Sequence, residues 1–305
     1  MKILVTGGGG YKGIKLTEQL LNKGYFVTVL DNFMYGHDPI FNIINNSRLN
    51  VLKMDIRNLK KSHVSDFDVV FHLAGISGMP ACAANPDSAE NINVKSTEKL
   101  CSFLEPNQLL INASTTSFYG AIGVPCDETV KEDPVSIYGR TKLEAERICM
   151  QRENSISLRF ATVFGVAPRM RNDLMTNDFV NKAINDRSIV IFAGHSKRTF
   201  IHVDDAISGY MFALDNASKM AGEVYNVGGN NLNHSKLDIA NTIKKYVDYE
   251  IIDSTLPDLD VRDFLVSFDK ISKVGFTPKL SLDDGINELV KLYRFYKTYS
   301  PFNII

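Results

Sequence analysis

Four consecutive glycines stand where the first apolar segment stops. Lys2-Ile-Leu-Val-Thr6 runs into Gly7-Gly-Gly-Gly10-Tyr-Lys-Gly13, and Ile14, Leu16, Leu20 and Leu21 then follow at helical spacing. A β-branched apolar run, a glycine turn and an amphipathic helix in direct succession leave few architectures open. The chain must turn tightly at a strand end, and the helix must start hard against that turn, where side chains would obstruct. Glycines at 7, 10 and 13 also leave a helix N-terminus bare, with unpaired N–H donors and the positive end of the helix dipole available to a phosphate. The alternation then repeats. Phe26-Val-Thr-Val-Leu30, Asn50-Val-Leu-Lys-Met54, Val69-Val-Phe-His-Leu-Ala74, Gln108-Leu-Leu-Ile-Asn-Ala113 and Ile156-Ser-Leu-Arg-Phe160 read as strands, with helix-like stretches between them. Near-continuous apolar strands alternating with helices predict a parallel sheet covered on both faces.

Asp31 ends the second strand, 18 residues after Gly13. A carboxylate there accepts hydrogen bonds from the adenosine ribose hydroxyls of a dinucleotide and repels a 2′-phosphate, so the pattern predicts NAD rather than NADP. Lys12, beside the phosphate turn, reads either as a surface lysine or as a cation drawing extra negative charge. The expected class is therefore α/β, a Rossmann doubly wound parallel sheet with a smaller C-terminal α/β substrate-binding lobe. After Gly165 the loops lengthen and a basic cluster appears (Arg169, Arg171, Lys197, Arg198). Residues 1–165 plus about 200–228 are assigned to the NAD-binding domain, with Glu223-Val-Tyr-Asn-Val227 returning to the main sheet. Residues 166–199 plus 229–305 are assigned to the substrate lobe, and the cleft between them is the expected site.

Composition narrows the partners. With 34 basic and 35 acidic side chains, a net charge of -1 argues against nucleic-acid binding. At 305 residues and 44% hydrophobic, the chain buries a large core without disulfide or metal staples. Cys82, Cys101, Cys126 and Cys149 stand singly and read as reduced thiols, with Cys82 a small packing residue. His37, His63, His72, His195, His202 and His234 show no metal-ligand spacing, and His72 and His202 read as packing residues, so no metal is expected. No signal-peptide core or membrane-length apolar run is present, and a cytoplasmic protein is expected.

Tyr138-Gly-Arg-Thr-Lys142 opens a segment of helical spacing, which puts Tyr138 and Lys142 on one face, one turn apart. A phenol near pKa 10 is a poor base at neutral pH, and neighbouring positive charge favours its phenolate. The fifth strand ends in Ala113-Ser-Thr-Thr-Ser-Phe-Tyr-Gly120, on the edge where ligands bind in open parallel sheets. Thr115 or Ser114 can supply a hydroxyl that orients a substrate alcohol against Tyr138.

At these residues the chain resembles the extended short-chain dehydrogenase/reductases, specifically the NAD-dependent nucleotide-sugar epimerase/dehydratase family. The likeness spans TGGGGYKG, LDN (residues 30–32), MDIR (54–57), HLAG (72–75), NVKST (93–97), ASTTSFYG, YGRTK, LRFATVFG (158–165) and RTFIHVDD (198–205). It implies that Thr115, Tyr138 and Lys142 are catalytic. It implies an NAD site of Gly7, Gly10, Tyr11, Lys12, Gly13, Asp31, Asn32, Asp55, Ile56, Leu73, Ala74, Gly75 and Asn93, with Tyr138 and Lys142. Family members pair through helices that include the YxxxK helix, so a homodimer is expected.

The departures bear on the reaction. The family's 4,6-dehydratases carry Asp-Glu after the catalytic threonine; Thr116-Ser117 stand here, and neither hydroxyl can replace a carboxylate acid or base. The family's asparagine before Val-Tyr-Gly is Thr162, and its isoleucine before the third glycine is Lys12. A nucleotide-diphosphate sugar needs forked cationic donors, which makes Arg169, Arg171, Arg198 and Arg262 candidates. Ser77, in the loop after the fourth strand, and Thr115, Thr116 and Thr162 complete the expected substrate side. The resemblance implies first a nucleotide-sugar 4-epimerase working through a 4-keto intermediate. The competing functions are a net 4-dehydrogenase or 4-ketoreductase on a nucleotide-activated sugar or heptose, and a non-catalytic NAD-binding sensor.

Overall fold

The structure is a computed structural model that describes residues 1–120, 125–256 and 263–297. The chain alternates from the start: β1 (Lys2–Thr6), α1 (Tyr11–Asn22), β2 (Phe26–Asp31), β3 (Leu49–Lys53) and β4 (Val69–His72). Two short helices, α2 (Met79–Ala84) and α3 (Pro86–Ala89), lead through a π-helical stretch, Glu90–Lys95, into α4 (Ser96–Phe103). Then come β5 (Leu109–Thr115), α5 (Ile137–Cys149), β6 (Ser155–Phe160) and β7 (Thr162–Phe164). The remainder is α6 (Met175–Asn185), β8 (Ser188–Phe192), β9 (Lys197–His202), α7 (Val203–Asp215), α8 (Ala217–Met220), β10 (Glu223–Val227), β11 (Asn233–Ser235), α9 (Lys236–Lys244), β12 (Glu250–Ser254), α10 (Asp269–Val274) and α11 (Leu282–Tyr293).

Seven strands form one parallel sheet in the order β10-β6-β5-β4-β1-β2-β3. The order reverses between β1 and β4, because β2 and β3 build outward on one side before the chain crosses to the other. That switch point opens a crevice beyond the C-terminal strand ends, where ligands of open α/β sheets bind. Central strands are buried on both faces, which accounts for their unbroken apolar sequence: all seven residues of β5 are buried. Leu16, Leu20, Phe71, Ile111, Leu158 and Tyr210 belong to the main core. A second core around Phe179, Val180, Ile239, Ile286 and Leu289 joins α6, α9 and α11 to the small sheets β11-β9-β7 and β12-β8.

Strand limits differ from the periodic reading at the site edge. β5 runs on to Thr115, two residues beyond the expected Ala113, because its backbone still pairs with β6 at Ser114↔Arg159 and Thr115↔Phe160. β4 stops at His72 instead of Ala74, since β1 ends opposite it at Thr6. None of the four cysteines is bridged. Among the described residues no helix is long and apolar enough to cross a membrane, and no cluster of three or more His, Cys, Asp or Glu side chains could hold a metal ion.

Candidate active site

The glycine turn does what its composition suggests. Gly7 has φ +71°, and a Cβ there would lie 2.7 Å from the Ala74 backbone nitrogen. A Cβ on Gly13 would meet the Gly7 carbonyl oxygen at 2.1 Å, so α1 seats directly on the turn only because neither residue has a side chain. Gly10 caps α1 with no side-chain hydrogen bond, which leaves the first-turn amides free of a capping group and suited to a pyrophosphate. Asp31 sits beside this turn: its Oδ2 accepts from Gly9 N at 2.9 Å and its Oδ1 from Phe33 N at 2.8 Å. Burial raises its pKa above the ordinary carboxylate value against the pull of those hydrogen bonds.

Asp31 lines a cavity of about 130 Å³ together with Gly7, Gly10, Asn32, Asp55, Ile56, Leu73, Ala74 and Gly75. The Asp55 carboxylate is clamped by Arg57, whose Nε and Nη2 donate at 2.9 and 2.7 Å, and this pairing lowers its pKa. Asn93 lies outside the cavity lining. It sits in the π-helical stretch, accepts from Ile76 N at 2.8 Å, and donates to Ile76 O at 3.0 Å and Thr141 Oγ1 at 3.1 Å. It therefore ties the loop after β4 to α5.

A larger cleft of about 540 Å³ continues from the first and shares Gly7, Gly10, Tyr35, Leu73, Gly75 and Ile76 with it. Tyr11, Gly13, Ser77, Ser114, Thr115, Ser117, Tyr138, Lys142 and Thr162 line it. Tyr11 also fastens α1 to the loop after β7, donating its hydroxyl to the Gly165 carbonyl at 2.7 Å. Thr115 Oγ1 donates to Ser117 Oγ at 3.0 Å and accepts from Ser117 N at 3.1 Å. Ser114 Oγ is buried at the cleft without a hydrogen-bond partner among the described residues, as a donor awaiting a ligand would be. Tyr138 and Lys142 share one face of α5, whose N-terminus is fixed by Ser136 Oγ accepting from Gly139 N at 3.0 Å. Burial lowers the Lys142 pKa, an effect opposed by Cys149, Glu146 and Cys82.

One expectation changes, and the alternatives for Lys12 narrow to one. Thr116 does not line the cleft: its amide and hydroxyl both donate to Phe160 O, at 3.1 and 3.3 Å, and pin the end of β5 to β6. Its neighbour Ser117, which alternation alone did not single out, lines the cleft instead. Lys12 is not a surface lysine. Its side chain enters the cleft and sets Nζ 4.2 Å from the Phe160 ring centre and 5.4 Å from that of Tyr210. Desolvation, then the nearby cations Lys142 and Arg171, bring its pKa down to about 7.

Arg169, Arg171 and Arg198 all reach the larger cleft. The Arg169 guanidinium stacks 4.2 Å from the Tyr35 ring centre, and Arg171 pairs with Asp173 at 2.9 and 2.5 Å. Arg262 lies outside the described residues. Tyr35, Asp178, Phe192 and Lys236 complete parts of the wall that no sequence motif marked.

The bare helix N-terminus, the carboxylate beside it and the unpartnered Ser114 hydroxyl fit a dinucleotide laid across the switch point. Together with the Tyr–Lys pair at the far end of the trough, they define an NAD-dependent enzyme of the short-chain dehydrogenase/reductase class. Within that class the chain belongs to the NAD dependent epimerase/dehydratase family, whose model matches residues 3–228. It is 29% identical over 97% of its length to an uncharacterized UDP-glucose epimerase of Bacillus subtilis (strain 168), covering 99% of that protein. It is 31% identical to UDP-glucuronate 4-epimerase 4 of Arabidopsis thaliana over 72% of this chain and 55% of that one. Among solved structures, the UDP-glucuronic acid 4-epimerase of Bacillus cereus, in complex with UDP-glucuronic acid and NAD, superposes with a TM-score of 0.84 at 28% identity, covering 96% of this chain and 99% of that one.

Proposed function

We propose that the protein is a UDP-sugar 4-epimerase in which Thr115, Tyr138 and Lys142 carry the chemistry. The observation that carries this reading is the convergence of these three side chains, from the end of β5 and one face of α5, on the cleft that also contains the glycine turn. NAD held at the glycine turn and beside Asp31 would supply a reversible acceptor for the C4 hydride. Tyr138 as phenolate takes the proton of the sugar O4 hydroxyl and returns it when the ketone is reduced on its other face. Lys142, desolvated one turn away, stabilises the phenolate by its charge. Thr115 hydrogen-bonds the same oxygen, and its contact with Ser117 orients that hydroxyl. Arg169, Arg171 and Arg198 are the groups suited to the diphosphate. With hydroxyls at 116 and 117, neither position after Thr115 supplies the carboxylate acid or base used in dehydration. A homodimer is part of the same proposal, checked by sedimentation.

The test is proton NMR of UDP-glucose and UDP-glucuronate with trace enzyme and no added cofactor. Many turnovers to a C4-inverted product are expected. Conversion limited to the enzyme's own NAD would replace the epimerase with a net dehydrogenase or ketoreductase. Tyr138→Phe should lower kcat by at least about a hundredfold, at the low end of general acid–base contributions; near-normal turnover removes Tyr138 from the mechanism.

A further inference from the structure

Lys12 is a cation without a counter-ion. Among the described residues its ammonium makes no hydrogen bond or ion pair, and its contacts are the faces of Phe160, the last residue of β6, and Tyr210 on α7. The charges that act on it are the cations Lys142 and Arg171, and the carboxylates that line the same cleft, Asp173 and Asp178, are paired with Arg171 and Lys182. Lys142 and Tyr138 come from α5, Arg171 comes from the loop before α6 and is already paired with Asp173, and the Tyr210 phenol has its pKa raised by burial. An uncompensated cation in a partly desolvated site costs free energy, and a structural role would be filled better by an apolar side chain.

Its position indicates what the charge acts on. The backbone of Lys12 belongs to the first turn of α1, where the pyrophosphate fits, and its Nζ lines the same cleft as Tyr138 and Lys142. The nicotinamide half of the dinucleotide must span these two places. The oxidised ring carries a positive charge that the reduced ring lacks, so a fixed cation beside it disfavours the oxidised form.

We propose that Lys12 lies against the nicotinamide end of the NAD site and makes the protein bind the reduced cofactor in preference to the oxidised one. This rests on the cofactor part of the proposed function and not on its choice of sugar or reaction. Lys12 then adds a second positive charge to that of Lys142 and draws the C4 hydride off the sugar more readily.

The test reads binding. Holoenzyme is exchanged against mixtures of NAD+ and NADH at fixed ratios, and the bound ratio is measured by absorbance at 340 nm after rapid desalting. At pH 6 the native protein should enrich NADH about tenfold more than Lys12→Met does, the order expected for one nearby charge in a partly screened interior. Lys12→Arg, which keeps the charge, should retain the enrichment. Between pH 6 and 9 the native preference should fall as Lys12 deprotonates, while the difference from Lys12→Met isolates it from Tyr138 and Lys142. Equal ratios in native and Lys12→Met proteins at pH 6, or an Arg variant that behaves like Met, overturn the inference and leave the epimerase reading standing. Failure of the native protein to take up either cofactor form overturns both.

Discussion

The helix that carries Tyr138 and Lys142 is anchored one turn further on by a buried ion pair, and its loss can be given a size. Arg159 on β6 is 4% exposed and Glu146 on α5 is 3% exposed. The guanidinium donates through Nε at 3.0 and 3.1 Å and through Nη2 at 2.6 Å to the Glu146 carboxylate, through Nη2 at 2.7 Å to Glu132, and through Nη1 at 2.9 Å to Tyr119. The Tyr119 hydroxyl in turn donates to Asn226 Oδ1 at 2.7 Å. Removing one member of such a pair strands a buried charge and costs about 3–5 kcal/mol. Glu146→Leu leaves Arg159 with Glu132, so it should fall near the lower end, about 3 kcal/mol. Arg159→Met strands the buried Glu146, while the partly exposed Glu132 keeps Arg147 at 3.6 Å, and should cost about 4 kcal/mol. The double variant replaces the pair by apolar side chains of similar size, which by itself is close to neutral, so with Glu132 and Tyr119 losing their bonds to Arg159 the net loss should be no more than about 1–2 kcal/mol, far less than the singles combined. Urea midpoints at unchanged slope measure all three. A single-variant loss below about 1 kcal/mol, or additive effects in the double variant, would refute the claim that burial makes this pair costly to break.

Other outcomes follow from the same geometry. His72 is buried between Thr6 Oγ1 and Thr97 Oγ1, at 2.8 Å from each, and burial brings its pKa down to about 3. The unfolded chain takes up a proton near pH 6.5 that the folded one refuses, so stability should fall by up to about 1.4 kcal/mol per pH unit as pH drops from 6.5 toward 3. His72→Gln should flatten that slope between pH 6 and 5 in urea titrations, and an unchanged slope would assign the acid sensitivity to other groups. Gly13→Ala, whose Cβ would press on the Gly7 carbonyl at 2.1 Å, should destabilise by about 3 kcal/mol or more and weaken NAD binding; Gly10→Ala, with 3.2 Å to the same oxygen, should cost much less in paired thermal melts. Ser136→Ala removes the N-cap of α5 and should cost about 1 kcal/mol, with Ser136→Gly costing only a few tenths.

Much of this protein was legible from local pattern. The glycines at 7, 10 and 13 state a demand of backbone geometry, the apolar runs state burial on both faces, and the spacing of Tyr138 and Lys142 states one face of a helix. Each is a constraint between residues close in the chain, so it can be read without knowing the fold. What came only from the tertiary structure concerns residues far apart. Thr116 and Ser117 are both hydroxyls, and only the carbonyl of Phe160 decides that the first turns away and the second lines the cleft. Asn93 braces the loop after β4 against α5 instead of lining the cavity. The sequence leaves Lys12 either a surface lysine or a cation near the phosphates, and only the rings of Phe160 and Tyr210 beside its ammonium separate the two. Periodicity sets which way a residue starts out from its own helix or strand. Desolvation and charge are set by whatever other segments pack there, and those contacts form only when the chain folds.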